Sequence, residues 1–157
     1  MDKVIQGESL MSSKLIREYY AKDSIREWKR LVRDPFHRLE FDTTMLFLKK
    51  YLPKKGLILD AGGGPGRYTI ELARLGYDVV LLDFVPELLE IAKRKIKKEN
   101  VQDKVRQIVE GSLEDLSMFE NDTFDSVLCL GGALCHLVSK KRRQKAVNEL
   151  IRITKDG

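Results

Sequence analysis

Several features that mark whole classes of proteins are missing from this chain of 157 residues. Its two cysteines, Cys129 and Cys135, form no C-x-x-C pair and lie near no histidine cluster, which argues against a disulfide framework and a zinc site. No apolar run approaches the roughly 18 residues that a membrane-spanning helix needs. The first residues lack the basic-then-apolar pattern of a signal peptide. These absences predict a cytoplasmic protein without a membrane span or a bound metal.

The chain also lacks the aromatic residues among its basic clusters that would stack on nucleic-acid bases. Its formal charge of +5 comes with 34% charged residues, and the basic runs 93–98 and 140–143 fall on predicted helices with carboxylates nearby. Such runs are usually solvated helix faces. A nucleic-acid partner is therefore disfavoured, and a hydrophobic content of 43% predicts one compact domain with a real core.

A glycine-rich turn follows a short apolar segment at residues 57–67, Leu-Ile-Leu-Asp-Ala-Gly-Gly-Gly-Pro-Gly-Arg. A strand, a tight glycine turn and a helix bring backbone amides close to a ligand at the positive end of the helix. The spacing is not that of the dinucleotide fingerprint G-x-G-x-x-G, because Arg67 stands where its third glycine would be. No Gly-Lys-Ser/Thr tripeptide completes a Walker A loop.

A second apolar segment ends in a carboxylate at the spacing expected for ribose recognition. Val79–Leu82 precede Asp83, which lies 21 residues after Gly62. An acidic residue about 20 positions after the glycines lies on the neighbouring strand end and can accept hydrogen bonds from ribose hydroxyls. Asp83 could instead cap the helix that begins at Pro86, and Phe84 could be a residue of the hydrophobic core without a role in binding.

The pattern along the chain alternates between strands and helices. One or two amphipathic helices are predicted over 9–32, and Asp34 caps a helix that runs from Pro35 to Tyr51. This alternation predicts an α/β, Rossmann-like parallel sheet of order 3-2-1-4, covered by helices, with ligands at the carboxyl ends of its strands. We divide it into a helical lid, 1–52, and a core, 53–157. The predicted later elements are strands 57–60, 78–82, 104–109 and 124–130 and helices 66–75, 86–99 and 140–154.

The motif D-x-G-x-G-x-G resembles motif I of the class I S-adenosylmethionine (SAM) dependent methyltransferases. The resemblance extends over nearly the whole chain and is strongest to the small-molecule subset that includes ubiquinone and menaquinone methyltransferases. It implies SAM as cofactor, S-adenosylhomocysteine as product and a small-molecule methyl acceptor. The cofactor-binding residues that the resemblance implies are Asp60, Gly62, Gly64 and Gly66 at the turn, Asp83 at the ribose, Phe84, Ser112 and Leu113 around the adenine, and Leu130 near the methionine moiety.

The loop Gly131–Leu137 resembles the Gly-Pro-Leu-Tyr-His-Leu loop of some small-molecule methyltransferases. By this resemblance His136 is the candidate general base, with His37 as a weaker second candidate. The N-P-P-Y type motif of enzymes that methylate nitrogen atoms of bases or protein amides is absent. In the same subset a lid tyrosine or arginine covers the cofactor, which makes Tyr20 and Arg38 candidates, although both could be packing residues.

Residues 150–157 resemble the segment that precedes strand five in complete class I enzymes. We expect the C-terminal strands of the usual seven to be missing, so that strand four forms an exposed edge that a homodimer could cover. Three functions stay open: a small-molecule methyltransferase, a SAM-binding module without activity of its own, and an NAD-dependent oxidoreductase. Arg67 disfavours the third of these.

Overall fold

The computed structural model describes residues 14–156. The chain begins with two short helices, α1 (14–22) and α2 (Ser24–Arg30), followed by the long helix α3 (Pro35–Tyr51). Strands and helices then alternate: β1 (Leu57–Ala61), α4 (Arg67–Arg74), β2 (Asp78–Asp83), α5 (Pro86–Lys98), β3 (Val105–Glu110), β4 (Ser126–Leu128) and α6 (Lys140–Ile153), with 3₁₀ turns at Gln102–Lys104 and Ala133–His136.

The four strands form one parallel sheet in the order β3-β2-β1-β4. The predicted order is therefore confirmed, and β1 lies in the middle, with Leu59 opposite Val80 of β2 and Val127 of β4. A reversal of strand order at β1 places a crevice at its carboxyl end, which is where ligands bind on such sheets.

Alternating side chains of the central strands divide the core into two layers. Ile58 and Val79 face the side of α3 and α4, while Leu59 and Val80 face the side of α6. Helix α5 covers the first side farther along the sheet, where Leu81 meets Ile70, Leu89, Ala92 and Ile96. Both faces of the central strands β1 and β2 are thus buried, as is usual in a parallel sheet.

Helix α3 begins as the sequence predicts. The Asp34 carboxylate accepts a hydrogen bond from the amide of His37 at 3.0 Å, and Pro35 occupies the first turn. Phe41, Met45 and Leu48 are the buried residues of α3, and they join the core cluster that contains Ile58. Helix α3 is therefore part of the layer that covers the sheet.

Strand β4 is shorter than predicted, because regular pairing to β1 covers only Ser126–Leu128 of the expected 124–130. At its carboxyl side Gly131 and Gly132 adopt positive φ angles of 66° and 87° and turn the chain away. At its amino side Phe124 forms an isolated parallel bridge with Thr154. The edge of β4 is thus partly paired at one end. Residues 9–13 of the predicted first helix lie outside the described residues.

Candidate active site

An open cleft lies at the carboxyl ends of the strands, with a volume of about 1080 Å³ that includes space open to solvent. The glycine turn and the ends of β1 and β2 form one wall, and helices α1 and α2 contribute to the opposite wall. Of the predicted site residues, those that line the cleft are Tyr20, Asp60, Gly62, Gly64, Asp83, Phe84, Ser112, Leu113, Leu130 and His136.

Backbone contacts hold the glycine turn against β2. The amides of Gly62 and Gly63 both donate to the Leu82 carbonyl, at 2.7 and 3.2 Å. Gly62 has a φ of 77°, and a Cβ there would lie 2.6 Å from the Cβ of Ala133. A side chain is excluded at this position both by the backbone conformation and by the loop after β4.

Gly66 is placed differently from the other two motif glycines. It is absent from the lining of the cleft and stands at the N-cap of α4 with a φ of 78°. A Cβ there would approach the Cβ of Ala92 on α5 to 3.2 Å. Its position indicates a role in the close approach of α4 and α5 rather than in direct ligand contact.

Asp83 joins the neighbouring loops at the end of β2. Its carboxylate accepts hydrogen bonds from the amides of Gly64 at 2.8 Å and Val85 at 2.9 Å, while its carbonyl accepts from Gly111 at 3.0 Å. The residue at the N-cap of α5 is Val85, so Asp83 binds the cap residue instead of serving as the cap itself. Burial raises the pKa of Asp83, and the hydrogen bonds from Val85 and Gly64 oppose that shift.

Phe84 and Leu113 line the cleft on either side of the β2 and β3 ends, and Leu113 is nearly buried. They supply the apolar surfaces that a planar ring could contact. Ser112 also lines the cleft, but its hydroxyl oxygen accepts a hydrogen bond from the amide of Glu114 at 3.2 Å. Part of its hydrogen-bonding capacity therefore stabilises its own loop.

Asp60 lies deeper than Asp83 and is fully buried at the end of β1. Its carboxylate accepts a hydrogen bond of 2.6 Å from the hydroxyl of Thr69. Burial raises the pKa of Asp60 to about 6, although the Thr69 hydrogen bonds lower it. A Cβ on Gly63 would lie 2.5 Å from this carboxyl group, so the glycine turn folds directly over it.

The wall formed by α1 and α2 meets the loop after β4 through one polar contact. The Tyr20 hydroxyl and His136 Nε2 are 3.0 Å apart, and their rings meet edge to face with centroids separated by 5.5 Å. Burial raises the pKa of the Tyr20 hydroxyl, as does the nearby Glu27 carboxylate. Two groups that can exchange a proton thus lie together in the cleft.

The other two candidates from the helical segment are not brought to the cleft. Arg38 is exposed and pairs with Asp42, at 2.9 Å, on the surface of α3. His37 binds the Asp34 carboxylate, with its Nδ1 2.7 Å from Oδ1. Arg30, which sequence reasoning missed, lines the cleft instead, where it binds the Glu27 carboxylate at 2.7 Å. Nothing in the helical periodicity distinguishes the two arginines.

Arg67 has a position that its sequence pattern did not suggest. Its guanidinium lies 4.0 Å from the centroid of the Trp28 ring and donates hydrogen bonds of 3.1 and 2.6 Å to the Trp28 carbonyl. The ammonium of Lys95 lies 4.7 Å from the same ring centroid. Arg67, the residue that departs from the dinucleotide fingerprint, therefore anchors α2 beside the glycine turn.

Within the part of the chain that the structure describes, no group of three or more His, Cys, Asp or Glu side chains is arranged to hold a metal ion. The lining of the cleft consists of a glycine turn, buried carboxylates and apolar walls. This arrangement suits a nucleoside that carries a charged side group.

Comparison with known proteins identifies the class to which this arrangement belongs. A family model described as a methyltransferase domain matches residues 58–157, which contain the four described strands except the first residue of β1. The chain belongs to this methyltransferase family. The prediction of a class I, SAM-dependent methyltransferase fold is confirmed, and the matches give no support to the oxidoreductase alternative.

Individual relatives point the same way. A glycine/sarcosine N-methyltransferase of Parasynechococcus marenigrum is 28% identical over 152 residues, covering 94% of this chain and 51% of the relative. A magnesium-protoporphyrin O-methyltransferase of Rhodobacter capsulatus is 34% identical over 96 residues, which cover 54% of this chain and 42% of the relative.

Among solved structures, a SAM-dependent methyltransferase of Methanosarcina mazei matches with a TM-score of 0.63 and 26% identity, covering 71% of this chain and 53% of that one. The chain spans about half the length of the two glycine/sarcosine N-methyltransferases, of Parasynechococcus marenigrum and Aphanothece halophytica, that match it over most of its own length.

Proposed function

We propose that this chain binds SAM in the cleft and transfers its methyl group to a small-molecule acceptor. The observation that carries the proposal is Asp83, a buried carboxylate at the end of β2 that lines the cleft beside the glycine turn. A carboxylate held in place by backbone amides is preorganised to accept hydrogen bonds from vicinal hydroxyls. Family membership and the named relatives support the same cofactor.

The remaining predicted contacts fit that cofactor. Phe84 and Leu113 would contact the two faces of the adenine, and the region of Gly62, Gly64 and Leu130 would receive the methionine moiety. Gly62 and Gly64 have positive φ angles and no side chains, so a ligand in the cleft can approach the backbone of the turn closely. The fully buried Asp60 lies under the turn and would supply negative charge near a cationic ligand.

When bound, SAM supplies a methyl group on a sulfonium, which is already an activated leaving group. The protein then has to align the acceptor, exclude water and remove a proton from the acceptor where one must leave. We propose the Tyr20–His136 pair for that last task, because both side chains line the cleft and lie 3.0 Å apart. His136 would accept the proton while Tyr20 fixes its ring orientation.

The relatives differ in the atom that they methylate, since they include glycine/sarcosine N-methyltransferases and O-methyltransferases that act on magnesium-protoporphyrin or in ubiquinone biosynthesis. We therefore propose the acceptor as a small molecule, with nitrogen or oxygen as the acceptor atom. Replacing His136 with Asn should lower kcat and leave the affinity for SAM unchanged. A loss of SAM affinity in that variant would assign His136 to cofactor binding instead.

Calorimetric titration of the chain with SAM, S-adenosylhomocysteine and NAD tests the proposal directly. We expect binding of the first two and none of NAD. Binding without turnover of any tested acceptor would support the alternative of a SAM-binding module without activity of its own. A folded chain that binds neither SAM nor its product would refute the cofactor assignment.

Three further expectations remain proposals. A homodimer that pairs β4 edges would raise the solution mass, although Phe124 and Thr154 already bridge part of that edge. A cytoplasmic location is proposed because Cys129 and Cys135 are free thiols. Nucleic acid remains a disfavoured substrate. Among residues 14–156 there is no helix whose length and apolar character would allow it to cross a membrane.

A further inference from the structure

Helix α3 is apolar on two opposite faces, and within residues 14–156 only one of them packs against the rest of the protein. Phe41, Met45 and Leu48 form the buried face. A second set of residues on α3 follows helical spacing on the other side and remains exposed, with relative exposures between 52% and 75%. We call this set the α3 stripe: Phe36, Leu39, Leu46, Phe47 and Tyr51.

Two of the exposed side chains of the α3 stripe contact each other. Phe47 and Tyr51 stack with ring centroids 5.9 Å apart, and the ammonium of Lys50 lies 5.2 Å from the Tyr51 centroid. Single exposed apolar side chains are common on soluble proteins, but five on one side of a helix, three of them aromatic, mark an interaction surface.

The charge around the α3 stripe indicates what covers it. Residues 29–55 contain eight basic and three acidic residues, and the rest of the chain contains equal numbers of each. The whole net charge of +5 is therefore concentrated in the segment that carries the α3 stripe.

The acidic residues of this segment do not neutralise its C-terminal end. Asp34, Glu40 and Asp42 each bind an arginine of the same segment: Arg33 at 3.1 Å, Arg30 at 3.2 Å and Arg38 at 2.9 Å, respectively. Four exposed lysines follow, at 49, 50, 54 and 55. Their charge adjoins Phe47 and Tyr51.

We propose that the α3 stripe docks on an anionic lipid surface. Helices that lie in a membrane interface combine an apolar, aromatic face with flanking lysines and arginines, whose long side chains reach the headgroups. Each lysine near an anionic membrane strengthens such binding, and the effect weakens as salt rises. A second copy of this chain would fit less well, because it would bring the same positive segment against its equal.

Co-sedimentation with vesicles tests the proposal, using the full chain and two vesicle compositions: phosphatidylcholine alone, and phosphatidylcholine with an equal part of phosphatidylglycerol. We expect partition onto the anionic vesicles, little onto the neutral ones, and release as salt increases. The inference does not depend on the cofactor, so SAM affinity measured in parallel separates its failure from failure of the proposed function.

Matched variants then locate the surface. Leu46→Gln with Phe47→Gln should lower the partition coefficient by about tenfold or more. Lys49→Gln with Lys50→Gln should lower it by about fivefold per lysine. As controls, Met118→Gln with Ile151→Gln removes two exposed apolar residues elsewhere, and Lys97→Gln with Lys98→Gln removes two exposed lysines of α5. Both control pairs should bind vesicles almost as the parent does.

Three results would overturn the proposal. One is a folded chain that does not bind the anionic vesicles. Another is simple polyanion binding. In that case the chain would bind heparin as well as vesicles, the variant Lys49→Gln with Lys50→Gln would bind more weakly, and the variant Leu46→Gln with Phe47→Gln would bind as the parent does. The third is a solution mass that falls from dimer to monomer when Leu46 and Phe47 are replaced, which would assign the α3 stripe to self-association.

Discussion

The two walls of the cleft are built in different ways. The wall at the glycine turn is made mainly of backbone contacts between the ends of neighbouring strands, such as the Gly62 amide on the Leu82 carbonyl. The wall at α1 and α2 depends on single side-chain contacts between distant residues, such as Tyr20 with His136 and Arg67 with Trp28. The first wall is therefore expected to be rigid, and we call it the cradle. The second wall depends on a few side-chain contacts, each of which a single substitution can remove, and we call it the replaceable wall.

The largest loss of stability should come from adding a side chain to a glycine of the cradle. Gly62→Ala adds a methyl group that would lie 2.6 Å from the Cβ of Ala133, at a φ of 77°. We expect a loss of about 3 kcal/mol or more in the free energy of unfolding, from backbone strain and overpacking together. Gly76→Ala is the matched control, since its φ is 95° but nothing lies within 4 Å of the added atom.

Urea unfolding of the two variants measures the difference directly. Gly76→Ala should lose only about 1 kcal/mol, the contribution of backbone strain. Equal losses in both variants would mean that the loop after β4 can move away, and the rigid cradle inferred here would be wrong.

A second large effect is expected at the ribose position. Asp83→Ala removes the proposed acceptor and the hydrogen bonds to Gly64 and Val85. We expect the affinity for SAM, measured by calorimetry, to fall by about a hundredfold, equivalent to about 3 kcal/mol. Asp78→Ala, at the opposite end of the same strand, should leave that affinity close to the parent value. Unchanged binding in Asp83→Ala would refute the assignment of this residue.

The contrast between the walls also explains what the sequence could predict. The strands at 57–60 and 78–82 were predicted to within a residue, because apolar runs and glycine turns are local signals. On the side of α1 and α2 the sequence predicts Tyr20, which lines the cleft, but helical periodicity does not show which arginine faces the cleft. The predicted residue, Arg38, is on the surface of α3, and Arg30 lines the cleft instead.

The predicted C-terminal end of β4, at residue 130, is wrong for a related reason. The apolar run continues to Leu130, but the positive φ angles of Gly131 and Gly132 and the bond of the Cys135 amide to the Gly132 carbonyl turn the chain into the 3₁₀ segment. A run of apolar residues predicts that a segment is buried, but it does not show where the hydrogen-bonded pairing between strands ends.

A pH experiment tests the deepest residue of the cradle. Burial raises the pKa of Asp60 to about 6, so the folded protein binds this proton more tightly than the unfolded chain does. The resulting stabilisation is fully present below the unfolded pKa of roughly 4 and is lost as pH rises through about 6. Without cofactor, Asp60→Asn should be more stable than the parent above pH 6, by about 3 kcal/mol.

Thermal unfolding from pH 4 to pH 8 distinguishes the two proteins, because the variant should lack the decline that the parent shows between pH 4 and pH 6. Thr69 can still donate its hydroxyl hydrogen to the new amide oxygen, so the local geometry is retained. Parallel pH profiles for both proteins would mean that Asp60 is solvated in the cleft and titrates normally.

The smallest effect should come from loosening the replaceable wall. Arg67→Lys keeps the positive charge but loses the planar group that stacks on Trp28 and donates twice to its carbonyl. Because α2 also carries Glu27 and Arg30 to the cleft, a looser α2 should lower SAM affinity by about fivefold, or about 1 kcal/mol, mainly through faster release. Arg74→Lys is the control on the same helix, where the arginine pairs with Glu71 and Glu99 on the surface. Release of SAM followed by stopped flow should be accelerated in the first variant alone, and equal release rates in both would mean that the Trp28 contact does not hold the wall closed.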